Sequence, residues 1–182
     1  MAACYGECMK WVIRIGIALF LVIGLVTLVG VFIPERHRVA VRAAYLAPRD
    51  SVFAVIWDVA RGAEWRDGLE SVDVLSQPGE TMRWRETADW GTLTFEHAAA
   101  DPPRMIAARI VDEGQGFGGT WTYELTPLGR GTQLVITENG VIDRPIYRVL
   151  SKYVMGYYAG LETYARDLGR RLGEEVEPER VE

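Results

Sequence analysis

Cysteine is nearly missing from this chain: the two present, Cys4 and Cys8, both lie in the first ten residues. That excludes a disulfide framework or a cysteine metal site from everything that follows them. Histidine is as scarce, with only His37 and His97. No ligating pair stands at metal spacing on one element, so neither a transition metal nor any other cofactor is expected. Positive charge is in deficit too, with 20 Lys and Arg against 25 Asp and Glu for a formal charge of −5. The excess of acid is slightly larger once Glu7, Lys10 and Arg14 are set aside, and this excludes nucleic acid as a natural partner. Internal repeats are absent. Ser51, Ser71, Ser76 and Ser151 stand in ordinary helix or strand text, without the nucleophile elbow of a serine hydrolase. Gly116, Gly118 and Gly119 lead into a strand rather than a helix, which speaks for a turn and against a phosphate loop.

What the chain does have is a run of nineteen residues without a charge, 15–33. About 20 apolar residues carry a helix across the hydrocarbon core of a bilayer. Here only Gly16, Gly24, Gly30 and Thr27 relieve an otherwise apolar surface on every face. A cleaved signal peptide has a shorter apolar region, about 7–15 residues, and a small-residue cleavage site that does not follow here. The expectation is a transmembrane helix over 11–33, preceded by an N-terminal tail over 1–10. Lys10 and Arg14 flank the span on one side and Arg36, Arg38 and Arg42 on the other, so the positive-inside rule leaves the side of the domain open. Cys4 and Cys8 sit where palmitoylation is chemically permitted, although two unmodified thiols are the simpler expectation. A linker over 34–37 then leaves one domain, 38–172, and a Glu-rich, disordered tail over 173–182.

Within the domain, Val39, Val41, Ala43 and Tyr45 alternate with Ala40, Arg42 and Ala44, the period of a half-buried strand. Pro48 suits the first turn of a short helix whose Val52, Phe53, Val55, Ile56 and Val59 share a face, and another helical turn follows at 62–65. Six more strands separated by turn residues are expected at 72–76, 81–88, 92–98, 105–112, 120–126 and 132–139. After Pro145 the period becomes helical: Ile146, Val149, Leu150, Tyr153, Tyr157, Leu161, Tyr164, Leu168 and Leu172 form one long stripe. The fold expected is α+β, a curved antiparallel sheet of about seven strands wrapped on a long C-terminal helix and preceded by one transmembrane helix.

Particular residues add a resemblance. AYLAPRDSVFAVIWDVARGAEW, at 44–65, resembles the strand-to-helix entry of the START-like superfamily, also called SRPBCC or the helix-grip fold. FGGTWTYELTP at 117–127, GTQLVITENGVI at 131–142 and the RPIYRVL that follows resemble its polyketide cyclase/dehydrase and lipid-transport branch. The resemblance covers about 38–172. It implies a cavity between the concave sheet and the long helix that takes an apolar or aromatic small molecule or lipid. Alternate strand residues supply candidate ligand-binding walls: Met82 and Trp84, Leu93 and Phe95, Met105 and Ala107, Trp121 and Tyr123, Leu134 and Ile136. Tyr153, Tyr157 and Tyr164 would close them. The same residues could simply fill a core, but the abundance of Tyr and Trp suits a half-wet pocket.

Glu86, His97, Arg109 and Glu138 stand on the same inferred register. A cyclase or dehydratase needs a base beside a carbonyl and a donor for the developing oxyanion, so these four are the candidate catalytic residues. The competing expectation is that Glu138 and His97 reach solvent at strand ends and Arg109 pairs with a carboxylate. Because a fold does not dictate function, three readings stand. The leading one is a single-pass membrane protein whose domain binds a hydrophobic small molecule or lipid without transforming it. The others are a cyclase- or dehydratase-type enzyme using Glu138 or Glu86, and a membrane-tethered module for an unidentified protein partner.

Overall fold

A computed structural model describes residues 2–89, 91–112 and 114–181. The first element is a 30-residue helix, α1 (Ala2–Val31), so most of the segment expected as a tail is helical. Its stretch Met9–Val31 is long and apolar enough to cross a membrane, and its side chains stay uncovered until the last turns. The side chains of Cys4 and Cys8 lie outside the described residues.

The chain then enters β1 (Arg36–Tyr45), α2 (Arg49–Trp57) and a 3₁₀ turn (Val59–Glu64). Six strands follow without interruption: β2 (Leu69–Val74), β3 (Arg83–Ala88), β4 (Gly91–Asp101), β5 (Met105–Ile110), β6 (Phe117–Leu128) and β7 (Gly131–Ile142). Each pairs with its sequence neighbour, and β7 pairs with β1 to complete one curved antiparallel sheet. All seven expected strands are present. The alternation read in β1 is realised: Val39, Val41, Ala43 and Tyr45 are buried, and Val41 lies opposite Ile136.

After Pro145 the single long helix expected there is interrupted. The structure has α3 (Pro145–Leu150), a π turn (Ser151–Met155) and then α4 (Ala159–Arg171). Gly156 makes the break. At φ 78° it takes up a conformation that side chains resist, and its N–H closes the π turn on the Ser151 carbonyl at 2.9 Å. Leu161, Tyr164, Ala165 and Leu168 of α4 pack on the concave face with Leu125, Leu134, Ile136 and Ile106, while α2 adds Val52, Phe53 and Ile56.

The tail is also unlike its expectation. Glu174 accepts the backbone N–H groups of Leu46 and Ala47 at 2.7 and 2.9 Å, Val176 is buried, and β8 (Glu179–Val181) adds an eighth strand against Ala40–Arg42 of β1. A Glu-rich composition reads as solvated, but the free edge of β1 offers unpaired backbone groups that a passing segment can satisfy.

Leu134 is fully enclosed, whereas Leu128, at the end of β6, is half exposed. Leu134→Ala is expected to cost about 2–5 kcal/mol, read as a lowered thermal or denaturant midpoint of the full chain in detergent, with Leu128→Ala close to wild type.

Candidate ligand-binding site

α4 covers only part of the concave face, and α2 with the 3₁₀ turn covers the rest. At the seam between them lies a cavity of about 30 Å³, walled by Trp65, Arg66, Trp84, Glu86, Tyr123 and Tyr164, with His97, Ile106, Ala108 and the 55–62 region completing it. That is room for about two water molecules.

Its polar groups are engaged with one another. Arg66 donates to both oxygens of Glu86, at 2.6 and 3.0 Å, and Trp84 Nε1 donates to the same carboxylate at 3.0 Å. The guanidinium also lies 5.3 Å from the ring centre of Tyr164. Burial works against the charge on Arg66, but Glu86 more than offsets it, so its pKa sits above the ordinary value and it stays cationic. Burial raises the Tyr123 phenol well above its usual value and pushes Tyr164 up to about 12. Both remain protonated and able to donate. His97 lies between Trp57, at 4.6 Å, and Trp84, at 5.0 Å, and burial lowers its pKa, so the imidazole is neutral at neutral pH.

A second polar cluster sits at the opposite end of the sheet, near the exit of α1. His37 Nε2 meets Glu138 Oε1 at 3.2 Å, and the His37 ring stacks on Tyr157 at 4.2 Å. Trp121 lies across β6–β7 from Glu138 and edge-on to Tyr164 at 6.1 Å.

Of the residues singled out in the sequence, Trp84, Glu86, His97, Tyr123 and Tyr164 meet at the cavity. Phe95 stacks behind Trp84 at 5.7 Å and Leu93 is buried beside it. Leu134 and Ile136 belong to the packed core, with no exposed surface. Met82 precedes β3, where its sulfur accepts the Ser76 hydroxyl.

Others go elsewhere. Met105, Ala107 and Arg109 do not face inward; Ile106 and Ala108 do. β5 is apolar on both faces, and a bulge between His97 and Ala99 of β4 shifts its pairing, which reverses every side chain of an ambiguous strand. Arg109 therefore pairs with Glu96 on the outer face, where Arg83 joins at 3.2 Å. Tyr153 is 65% exposed, and Tyr157 belongs with His37 rather than with the cavity. Glu138 and Glu86 stand in separate clusters. Arg66, Trp65 and the 3₁₀ turn were not anticipated as wall; the pair Arg66–Glu86 joins residues twenty apart with no shared periodicity. Among the described residues no group of three or more His, Cys, Asp or Glu gathers in metal-binding fashion.

Residues 36–169 match the sequence model of a family described as polyketide cyclase / dehydrase and lipid transport. No curated protein matches the chain in sequence. Among solved structures, the Zhui aromatase/cyclase from Streptomyces sp. R1128 is similar at 23% identity and TM-score 0.61, over 75% of this chain and 96% of that one. TTHA0849 from Thermus thermophilus is similar at 21% identity and TM-score 0.63, over 75% and 97%. Norcoclaurine synthase from Thalictrum flavum shares the fold at 11% identity and TM-score 0.62, over 77% and 88%.

Arg66→Met strands Glu86 in the interior and is expected to cost about 3 kcal/mol. Adding Glu86→Gln, which keeps an acceptor for Trp84, should recover most of that loss in the same unfolding measurement. His97 contributes a pH dependence of definite sign. Because its folded pKa lies below the ordinary 6.5, the unfolded chain takes up the proton first, so stability is full above pH 6.5 and declines as the pH falls through the lowered value. Unfolding midpoints compared between pH 7.5 and 5 should show a smaller acid loss in His97→Phe than in wild type.

Proposed function

Because this chain belongs to the polyketide cyclase / dehydrase and lipid transport family and has the START-like helix-grip fold, we propose that it is a single-pass membrane protein whose domain binds a hydrophobic small molecule or lipid. The ligand would lie between the sheet and α4 and would leave unchanged. One observation carries this reading: the interior seam is walled by Trp65, Trp84, Tyr123 and Tyr164, while its carboxylate is already committed to Arg66 and Trp84. Ring faces and phenol donors suit an apolar molecule with one hydrogen-bonding group. Glu86 already accepts from both Arg66 nitrogens and from Trp84 Nε1, so a proton-transfer role would require it to leave that ion pair. Solved relatives that act as enzymes, such as the aromatase/cyclase, share the fold, and fold alone does not carry activity.

At about 30 Å³ the seam is too small for such a ligand, so uptake would require the wall to move. The 3₁₀ turn, which contributes Gly62 and leads into Trp65 and Arg66, is the wall that would move, and its movement would break the Glu64–Arg171 and Arg66–Glu86 pairs. Tethering at the bilayer gives such a domain access to molecules that concentrate there, which favours lipid-like ligands. The small cavity favours one second reading, a membrane-tethered module with a filled interior that recruits a protein partner.

Native mass spectrometry of the full chain released from detergent, after incubation with palmitoleic acid or with 2-naphthol, separates the two. The binding reading expects one added mass with at least one probe in wild type and its loss in Ala108→Trp, which fills the seam. Glu138→Gln should leave uptake intact. No added mass with either probe favours the filled module.

A further inference from the structure

The end of the domain nearest α1 carries a surface that neither the cavity nor the core accounts for. Phe32 is 80% exposed, Tyr153 65%, Val154 73%, Met155 63% and Leu150 40%. Four of the five fall within six consecutive residues, 150–155, and Phe32 directly follows α1, so they are not the scattered singles of an ordinary surface.

Their position relative to α1 follows from the contacts. Where the chain leaves α1, Ile142 donates its N–H to the Glu35 carbonyl at 2.8 Å. Arg148, buried, joins the same level by donating to the carbonyls of Ile33, Ile142 and Asp143 and to the Glu35 carboxylate at 2.7 Å. Three residues further along, Pro145 lies against Gly30, so close that a Cβ on Gly30 would sit 2.0 Å from the Pro145 carbonyl oxygen. From 142 to 145, then, the chain descends from the level of residue 35 to that of residue 30. α3 runs back along α1 toward its apolar stretch. On α1 the covered positions Val26, Thr27 and Gly30 share one face, and α3 is the element packed against it.

The charge pattern of the same segment is one-sided. From Arg144 to Leu161 there is no acidic residue, while Arg144, Arg148 and Lys152 occur, in a chain whose net charge is −5. Arg144 lies over the ring of Tyr147 at 5.5 Å and Lys152 over that of Tyr153 at 5.4 Å. Tyrosine rings with cationic ends beside them are the chemistry of the headgroup level, where the ring is half apolar and the long cationic side chain reaches the phosphates.

We propose that α3 and the π turn, Pro145–Met155, form a wedge seated in the bilayer interface beside α1, with Val154 and Met155 among the acyl chains and Tyr153, Lys152 and Arg144 at the headgroups. This rests on the reading of α1 as a membrane span. The wedge explains the interruption of the C-terminal helix: the chain dips to meet lipid, turns at Gly156, and returns as α4 to cover the sheet. It also fixes the domain's orientation to the membrane, since Arg148 ties wedge, span exit and β7 together.

The test uses the full chain with Cys4→Ser and Cys8→Ser, carrying one further substitution, Val154→Cys, Met155→Cys, Leu19→Cys or Arg130→Cys, each labelled with an environment-sensitive fluorophore. The protein is reconstituted in phosphatidylcholine–phosphatidylglycerol vesicles with or without lipids bearing an acyl-chain nitroxide. Labels at 154 and 155 are expected to emit to the blue and to be quenched by the nitroxide lipid, as at 19, while the label at 130, on the far β6–β7 turn, is not. Quenching at 19 but at neither 154 nor 155 would overturn the wedge and leave the span standing. Absence of quenching at all four would remove the span and the wedge with it. A blue shift at 154 and 155 without lipid quenching would mean that protein, such as a second copy of the chain, covers the patch, and would also overturn the proposal.

Discussion

A curved antiparallel sheet has a concave face that must be covered, and this constraint organises the rest of the domain. α4 supplies thirteen residues, long enough to cover only part of that face. α2 and the 3₁₀ turn, inserted between β1 and β2, cover the remainder. Two covers of different origin meet in a seam, and that seam is where the cavity lies. The hydrophobic effect drives both covers onto the sheet, but large aromatic rings at the junction, Trp65 on one side and Tyr164 on the other, meet edge-on at 5.2 Å rather than interdigitating fully. The candidate site is thus a consequence of how the core is closed.

Charge inside the domain is handled by local pairing. Arg66 and Glu86 neutralise one another at the seam. Asp167 of α4, almost fully enclosed, has its pKa raised by burial; it accepts the Asp67 backbone N–H at 2.8 Å and pairs with Arg170, which draws the 66–68 region onto α4. At the other end Arg148 satisfies four acceptors from the exit of α1, β7 and its flank. Each such guanidinium or carboxylate is costly to bury alone and tolerable only because its partners are fixed by the fold. These pairs, with Glu64 of the 3₁₀ turn on Arg171 of α4 at 3.5 Å, tie the two covers to each other and the exit of α1 to β7.

Much of the fold was legible in the sequence because it rests on short-range periodicity. Alternation in β1, turn residues between strands and the three-and-four spacing of Leu161, Tyr164 and Leu168 each report the local face that must be buried. The nineteen uncharged residues of 15–33 announce a helix apolar all round in the same way. Trp84, Glu86, His97 and Tyr123 were recoverable as inward residues because their strands alternate cleanly. β5 was not recoverable, since Met105, Ile106, Ala107 and Ala108 would satisfy either face and the bulge at His97–Ala99 lies in a different strand.

By itself, then, the sequence determined a membrane-length apolar helix, an antiparallel sheet of known strand positions, and an amphipathic helix to cover it. Only the tertiary structure decided that Arg66 meets Glu86, that His37 meets Glu138 across a separation of 101 residues, that the Glu-rich tail becomes β8, and that α3 turns back along α1. The physical reason is common to these: periodicity encodes which face of an element is apolar, whereas a polar contact between distant elements depends on their relative placement, which is set by the packing of the whole core and leaves no local signature in the chain.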